Sequence, residues 1–228
     1  MNLIENLELE VCVVELRFDP QYRLWDFVGW IWSSMIALNP SLKGAAIQPT
    51  QQSFESESLQ LTLDTTVIRV SGRGPQAVEE VVKNAGWMVK IVCDRVKLES
   101  FSRVGFRQIR TKSFPTPAQA IRFANRPEEQ EFAPIGIEAS RVGFVDSSRF
   151  ETEDAGLHVA LKVEPREISF TLPWESRPFH RLDAAQKEWV LIADSDYYTI
   201  GIVEREALDV ETWVRQACKA ISGYWEKR

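Results

Sequence analysis

Two aspartates near the end of the chain have the spacing that metal chemistry would use. Asp194 and Asp196 follow an apolar stretch, and on a strand residues two apart point to the same side. A hard cation such as Mg²⁺ prefers carboxylate oxygens, and Asp146 or Glu204 would supply a third ligand. Three ligands would predict metal-dependent phosphoryl transfer or nuclease-type hydrolysis. Because two carboxylates alone rarely hold a metal, we favour the simpler interpretation, acids in a turn between two strand segments.

Arginines cluster around the middle of the chain. Arg103 and Arg107 fall on one face of a predicted strand. Arg141 occupies the place of Arg103 in a second copy of the pentapeptide SRVGF, which occurs at residues 102–106 and 140–144. Such guanidinium groups could receive a carboxylate or a phosphate as a polar recognition patch. Since exposed ion pairs are common and weak, we favour a solvated face with internal pairs.

The two histidines give little support for nucleophilic catalysis. His158 falls in a predicted strand, whereas His180 falls with Trp174 in a predicted polar loop. A catalytic triad of Ser176, His180 and Asp183 would require three side chains of one loop to point toward each other, which is uncommon. The sequence also lacks a nucleophile elbow. We therefore predict His180 and Trp174 as contact residues for a ligand or partner, and no catalytic residue.

Charge and cysteine content exclude several classes of function. The chain of 228 residues carries a net charge of -6, and general nucleic-acid binding relies on an excess of Lys and Arg. We therefore do not expect a general nucleic-acid binder, and only a local basic groove would leave a nucleic-acid partner open. Cys12, Cys93 and Cys218 are far apart and have apolar neighbours, which is typical of reduced core thiols. No stretch approaches the roughly 18 apolar residues of a membrane span, so we expect a cytoplasmic protein without a cofactor.

Apolar periodicity divides the first half of the chain into strands and helices. Alternating or continuous apolar runs predict strands, and apolar residues at helical spacing predict two amphipathic helices. The predicted strands cover residues 8–18, 44–54, 58–64, 67–72 and 97–110, and the predicted helices cover residues 21–38 and 75–92. Gly105 lies within the long last strand, where glycine predicts a bulge or a close backbone approach.

The second half repeats this pattern with fewer elements. The predicted strands cover residues 136–148, 157–163, 167–172 and 188–202, and a final amphipathic helix covers residues 210–224. We predict a hairpin turn at residues 164–166, a loop at residues 172–183 and an interruption of the last strand at residues 194–196. Asp209 or a nearby acid is expected to cap the final helix.

Strands in runs joined by short turns, together with a few helices, predict an α+β fold. We expect a mainly antiparallel curved sheet, continuous or paired, with helices packed on one face. The repeated pentapeptide suggests two structurally related halves with a split β-α-β plan. Their predicted bounds are residues 1–113 and residues 136–228, with residues 114–135 as the connecting segment.

Several motifs along the chain resemble those of one family. They are VVELRFDP at residues 13–20, a helix with Trp30 and Trp32 that ends near Pro40, RVGFRQIR at residues 103–110, and DSDYYTIGI at residues 194–202 before an amphipathic helix. Together they are similar to a sporadically distributed family of uncharacterised prokaryotic proteins of somewhat over two hundred residues. Members carry an arginine-glycine strand that ends in an aromatic residue and asparagine, where this chain has Gln108 and Ile109. The resemblance implies a prokaryotic, soluble, stand-alone protein and brings no function with it.

Binding is the function that the sequence favours. We predict a non-catalytic binding or adaptor protein that contacts another protein or a second copy of itself as a homodimer. Most tryptophans of the predicted helices should pack in the core, and an exposed remainder would form a surface for a partner. The tryptophans of the two predicted helices are Trp25, Trp30, Trp32 and Trp87. Two alternatives remain open: a metal-dependent enzyme that uses the two aspartates, and a small-ligand or nucleotide sensor that uses the cleft between the halves.

Overall fold

The described residues form eleven strands and four α-helices. The computed structural model describes residues 3–48, 51–125, 143–168 and 186–227. The strands are β1 (Glu8–Arg17), β2 (Lys43–Gln48), β3 (Gln51–Glu55), β4 (Leu59–Asp64), β5 (Val67–Arg73), β6 (Ser100–Phe101), β7 (Arg103–Phe114), β8 (Phe144–Glu151), β9 (Ala155–Ile168), β10 (Gln186–Thr199) and β11 (Val203–Glu204). The helices are α1 (Leu24–Leu38), α2 (Ala77–Val96), α3 (Pro117–Phe123) and α4 (Val210–Trp225).

Nine of the strands form one antiparallel sheet. Their order across the sheet is β2-β3-β4-β5-β1-β7-β10-β9-β8, and β6 pairs with β11 apart from it. Every pair of neighbours in the large sheet runs antiparallel. The α+β class and the antiparallel sheet that the sequence predicts are therefore confirmed.

The main helices pack on one face of this sheet, which we call the helix face. On β1 it presents Cys12, Val14 and Leu16, which are fully buried. A Cβ at Gly72, which pairs with Cys12, would touch the side chains of α2. The Trp225 indole of α4 donates to Ser195 Oγ over 2.9 Å on the same face of β10. The predicted packing of helices on one face is therefore confirmed. Successive side chains of a strand point to opposite faces, so the buried residues meet the helices and the polar residues lie on the other face.

Local sequence signals explain where the helices begin and end. The Asp209 carboxylate accepts a 2.8 Å hydrogen bond from the Thr212 amide and caps α4 as predicted. In the same way, Thr116 Oγ1 accepts from the Gln119 amide, and Pro117 occupies the first position of α3. At the end of α2, Lys97 adopts a left-handed conformation with φ of 60°, which closes the helix.

Two predictions about strand ends are wrong. Residues 44–54 form the hairpin β2–β3 instead of a single strand. Residues 164–166 do not turn, because β9 continues through Pro165, which pairs with Trp189 of β10. Since β8 begins at Phe144 opposite Val163, β9 has only one described neighbour at Pro165, and a proline is tolerated on such an edge.

The predicted irregularities at Gly105 and at residues 194–196 are also absent. β7 keeps an even register with both neighbours at Gly105, and the register shift of β1 lies instead between Leu9 and Val11. β10 runs without a break from Gln186 to Thr199, so Asp194 and Asp196 lie in the middle of a strand. β10 pairs with β7 on one side and with β9 on the other, and this pairing keeps the strand continuous at both aspartates.

The predicted boundary between halves crosses a continuous sheet. β7 from the first half pairs with β10 from the second over ten residue pairs, from Phe114 with Trp189 to Gly105 with Tyr198. The first SRVGF copy lies at the start of β7, whereas most of the second copy and the loop at residues 172–183 fall outside the described residues. The relation between the halves remains a prediction. Among the described helices, none is long and apolar enough to cross a membrane.

Candidate functional site

The face of the sheet opposite the helices carries a network of charged side chains, and we call it the polar face. At its centre the Glu15 carboxylate accepts hydrogen bonds from three arginines. The donors are Arg17 Nε at 2.7 Å, Arg69 Nε at 2.9 Å and Nη2 at 2.5 Å, and Arg103 Nη1 at 3.4 Å. Burial alone would raise the pKa of Glu15, but the hydrogen bonds from Arg69 and Arg17 hold it below the usual value. Glu15 is therefore a fixed anion.

Two more ion pairs extend the network onto β10. Arg103 Nη2 donates to Asp196 Oδ2 over 2.7 Å, so Arg103 bridges Glu15 and Asp196. Arg107 forms a two-pronged pair with Asp194, with Nε to Oδ1 at 2.8 Å and Nη2 to Oδ2 at 2.5 Å. The hydrogen bond to Asp194 raises the pKa of Arg107. The structure thus brings together four of the predicted site residues as internal ion pairs, the interpretation that the sequence favours.

The expected third acid does not join the two aspartates. Asp146 lies on the helix face, where it lines a cavity with Val159 and Trp225, and Glu204 lies in β11 outside the large sheet. Within the described residues, no group of three or more His, Cys, Asp or Glu side chains is placed to hold a metal ion. A cation at Asp194 and Asp196 would have to compete with two bound guanidinium groups.

Two glycines lie beneath side chains of this network. Arg103 lies over Gly105, since a Cβ there would sit 3.6 Å from the guanidinium carbon. Tyr198 lies over Gly156 in the same way, and a Cβ there would come within 2.3 Å of the ring. At Gly105 the 3.6 Å separation is an ordinary van der Waals distance, so neither the bulge nor the close backbone approach that the sequence offered for Gly105 is found, and the close approach lies at Gly156 instead. The Tyr198 ring reaches across the neighbouring strand β9 because no side chain stands in between, whereas Arg103 lies along its own strand.

The sequence analysis missed several members of the network. Glu15, Arg69 and Tyr198 come from β1, β5 and β10, and Arg149 and Glu151 come from β8. The available signal was a charged residue at every second position of a predicted strand, as in Arg149 and Glu151. That pattern identifies a polar face but not the partners, which depend on strand order. Arg141, Trp174 and His180, also predicted as site residues, lie outside the described residues.

Helix α1 presents a second candidate surface on the other side of the molecule. Four large apolar side chains are exposed on it or just before it: Tyr22 by 64%, Trp25 by 49%, Trp30 by 45% and Leu38 by 45%. Asp26 is the one charged residue between Leu24 and Leu38. A helix on a protein surface usually turns charged residues outward. The outer face of α1 carries two exposed tryptophans and one charge of its own, and the Arg95 guanidinium of α2 lies 4.8 Å from the centre of the Trp30 ring. Exposed aromatic side chains beside an arginine are typical of a protein-binding surface.

A groove of about 850 Å³ runs between α2 and α4. Its lining includes Val82, Trp87 and Gly86 of α2 and Val214 and Cys218 of α4. A Cβ at Gly86 would meet no atom within 4 Å, so packing inside the chain does not require glycine there. Because α2 and α4 belong to the two predicted halves, a sensor would bind its ligand here, although the mixed charges of the rim favour no ligand class.

Comparison with known proteins adds no family to these observations. No protein-family model matches the chain, and no curated protein matches it. The function has to be argued from the two surfaces themselves.

Proposed function

We propose that this chain is a non-catalytic binding protein that docks a protein partner, foremost a second copy of itself, on the outer face of α1. The observation that carries the proposal is the exposure of Trp25 and Trp30 on a helix with a single charge. Large exposed aromatic side chains are costly in water, and they dominate the energy of protein interfaces when a partner covers them.

The exposed side chains of α1 are large in its first part and small in its second part, which suits a second copy packed in the antiparallel orientation. Tyr22, Trp25 and Trp30 fill the first part of the exposed face, whereas Ser33 and Ala37 are small exposed residues later in the helix. Two copies related by a two-fold axis would place the large side chains of one against the small ones of the other. Ser33 Oγ already donates to Gly29 O over 2.9 Å, so its hydroxyl would not be left without a partner.

The charges of α1 also favour the antiparallel arrangement. Parallel packing would set the two Asp26 carboxylates side by side, whereas antiparallel packing separates them by most of the helix length. The positive charge of Arg23, just before α1, would then lie near the C-terminal end of the other helix, where the helix dipole is negative. No like charges would meet along the exposed face of α1.

The available area predicts a weak dimer. With three aromatic side chains about half exposed, roughly 300 Å² of aromatic surface per copy can be covered. About 600 Å² for the pair corresponds to ~15 kcal/mol at ~25 cal/mol per Å², against an association cost of about 4–15 kcal/mol. The middle of the resulting range corresponds to a Kd on the order of 100 µM. We therefore expect a concentration-dependent equilibrium between monomer and dimer.

Sedimentation equilibrium of the wild type and of the double variant Trp25→Ser, Trp30→Ser tests this proposal. We expect the wild type to associate and the double variant to dissociate at least about tenfold more readily, since two anchoring side chains are lost. Ile202→Ser, which removes another exposed apolar residue, is the matched control and should leave association unchanged. A wild type that stays monomeric up to about 1 mM would refute self-association.

The metal-dependent enzyme has less support. Both aspartates already bind guanidinium groups, and each pair would have to open before a cation could bind. The metal-dependent enzyme remains a hypothesis.

A further inference from the structure

A cavity of about 600 Å³ opens on the polar face near one edge of the sheet. It lies over β8, β9 and β10, on the side of the sheet opposite α1, so it does not depend on the proposed function. Its lining is polar or aromatic throughout, with no aliphatic side chain: Arg103, Ser147, Ser148, Arg149, His158, Asp196 and Tyr198.

The floor of this cavity is held in place by Tyr198. The ring lies against the backbone of Gly156, where a Cβ would come within 2.3 Å. The Tyr198 hydroxyl donates to Glu151 Oε1 over 3.0 Å, which fixes the tilt of the ring. The guanidinium carbons of Arg103 and Arg149 lie 4.9 and 5.7 Å from the ring centre. Both cations are thus positioned before any ligand arrives.

Hydrogen-bond donors outnumber acceptors at this cavity. Arg103 uses Nη1 and Nη2 for Glu15 and Asp196, and Arg149 uses Nε and Nη2 for Glu151. Arg103 Nε has no hydrogen-bond partner among the described residues, whereas Arg149 also bonds to Tyr198. Of the five N–H donors of a guanidinium, each arginine therefore keeps some that a ligand could use.

Two further donors lie next to Arg149. His158 pairs across the sheet with Arg149 on one side and Asp196 on the other, so its ring stands on the same face. Ser147 lies two residues before Arg149 on that face. Neither side chain has a hydrogen-bond partner within the part of the chain that the structure describes. The one carboxylate in the lining, Asp196, is already bound by Arg103.

We propose that this cavity binds the oxyanion group, phosphate or carboxylate, of a small molecule between Arg103, Arg149 and His158. The two guanidinium groups supply charge-assisted hydrogen bonds, which are shorter and stronger than those of neutral donors. Ser147 supplies a neutral donor at the rim. The volume beyond a single oxyanion leaves room for the remainder of the ligand along the Tyr198 ring.

Isothermal titration calorimetry with inorganic phosphate, and separately with acetate, at constant ionic strength set by chloride tests the proposal. We expect saturable binding of at least one anion with a Kd on the order of 1 mM or tighter. The anion with the lower Kd shows whether the cavity prefers a phosphate or a carboxylate group. Failure of both anions to saturate the protein below about 20 mM would overturn the proposal.

Variants distinguish a built site from general surface charge. Arg149→Gln should weaken binding by at least about fivefold, because a charge-assisted contact is lost. His158→Gln is a second variant at an exposed position and should weaken binding too. Lys162→Gln removes a cation of the same face of β9, four residues from His158, outside the cavity and paired with Glu164, and it should change the Kd by less than about twofold. Equal weakening by Arg149→Gln and Lys162→Gln would also overturn the proposal.

Discussion

Replacing Glu15 with glutamine would remove the anion that joins three arginines on the polar face. The side chain is 13% exposed and lies between Arg69 of β5 and Arg103 of β7. The glutamine side chain could still accept one hydrogen bond of ordinary strength, but it would leave the guanidinium groups without their shared counter-charge. Arg103 would retain Asp196, whereas Arg17 and Arg69 would depend on water, to which about half of each side chain is open.

The expected loss of stability lies between two reference cases. An exposed ion pair contributes about 0.2–1 kcal/mol, and breaking a fully buried pair costs about 3–5 kcal/mol. Glu15 is well covered but its donors are half exposed, so we expect Glu15→Gln to lower the free energy of unfolding by about 2 kcal/mol, in line with hydrogen bonds to charged groups. For a chain of this length the unfolding midpoint would fall by roughly 4–8 °C.

Urea unfolding of the variant, the wild type and one matched control measures this loss. The control is Glu211→Gln, which breaks the pair with Arg215 on the surface of α4, where the two side chains are 63% and 78% exposed. We expect the control to change the free energy of unfolding by less than about 0.5 kcal/mol. Equal losses in the two variants would refute the reasoning, since the covered position of Glu15 would then have no effect.

The pH dependence of stability provides a second test of the same prediction. The pKa of Glu15 in the folded protein lies below its usual value of 4.5. A carboxylate with a lowered pKa stabilises the fold fully above the unfolded pKa, and this stabilisation is lost as the pH falls through the folded pKa. The gap between wild type and Glu15→Gln should therefore stay constant from neutral pH down to about 5 and narrow below that. A gap that persists at a pH of about 2 would contradict the assignment.

Two further expectations follow from the packing. Gly156→Ala should destabilise the protein by about 1–3 kcal/mol, because the new methyl group would overlap the Tyr198 ring. Gly105→Ala, whose methyl group would meet Arg103 at 3.6 Å, should stay within about 1 kcal/mol of wild type. Equal urea midpoints for these two variants would contradict the close approach at Gly156. Burial raises the pKa of Cys12 to about 12 and that of Cys93 to about 11, so neither thiol should react with Ellman's reagent at a pH of about 8 until denaturant is added. Fast labelling of either thiol in the native protein would show that it is accessible.

Elements with strong local signals could be predicted from the sequence. The last helix was expected at residues 210–224 with Asp209 as its cap, and it covers Val210–Trp225 with that cap in place. The strands at residues 58–64 and 67–72 were expected from their apolar periodicity, and they form at Leu59–Asp64 and Val67–Arg73. Capping, helical periodicity and turn residues act over a few positions, so a sequence window contains the whole cause.

Pro165 and the two aspartates of β10 misled the sequence analysis for a shared reason. A proline between apolar runs is typical of a turn, and so are two acids in three residues. Pro165 stays in a strand because β9 has an edge there, and Asp194 and Asp196 stay in a strand because arginines of β7 neutralise them. The neighbouring strand decides both outcomes, and no local window includes that strand.

The sequence alone determined the α+β class, the alternation of polar and apolar faces and the candidate arginines and aspartates, because each depends on residue type and short spacing. The tertiary structure decided which of these side chains meet. Glu15 and Arg103 are 88 residues apart in the chain and become neighbours because β1 and β7 pair in one register. Moving that register by a single residue would send Glu15 into the helix face. Buried apolar residues along the whole sheet fix the register, and they thereby place the charges of the polar face.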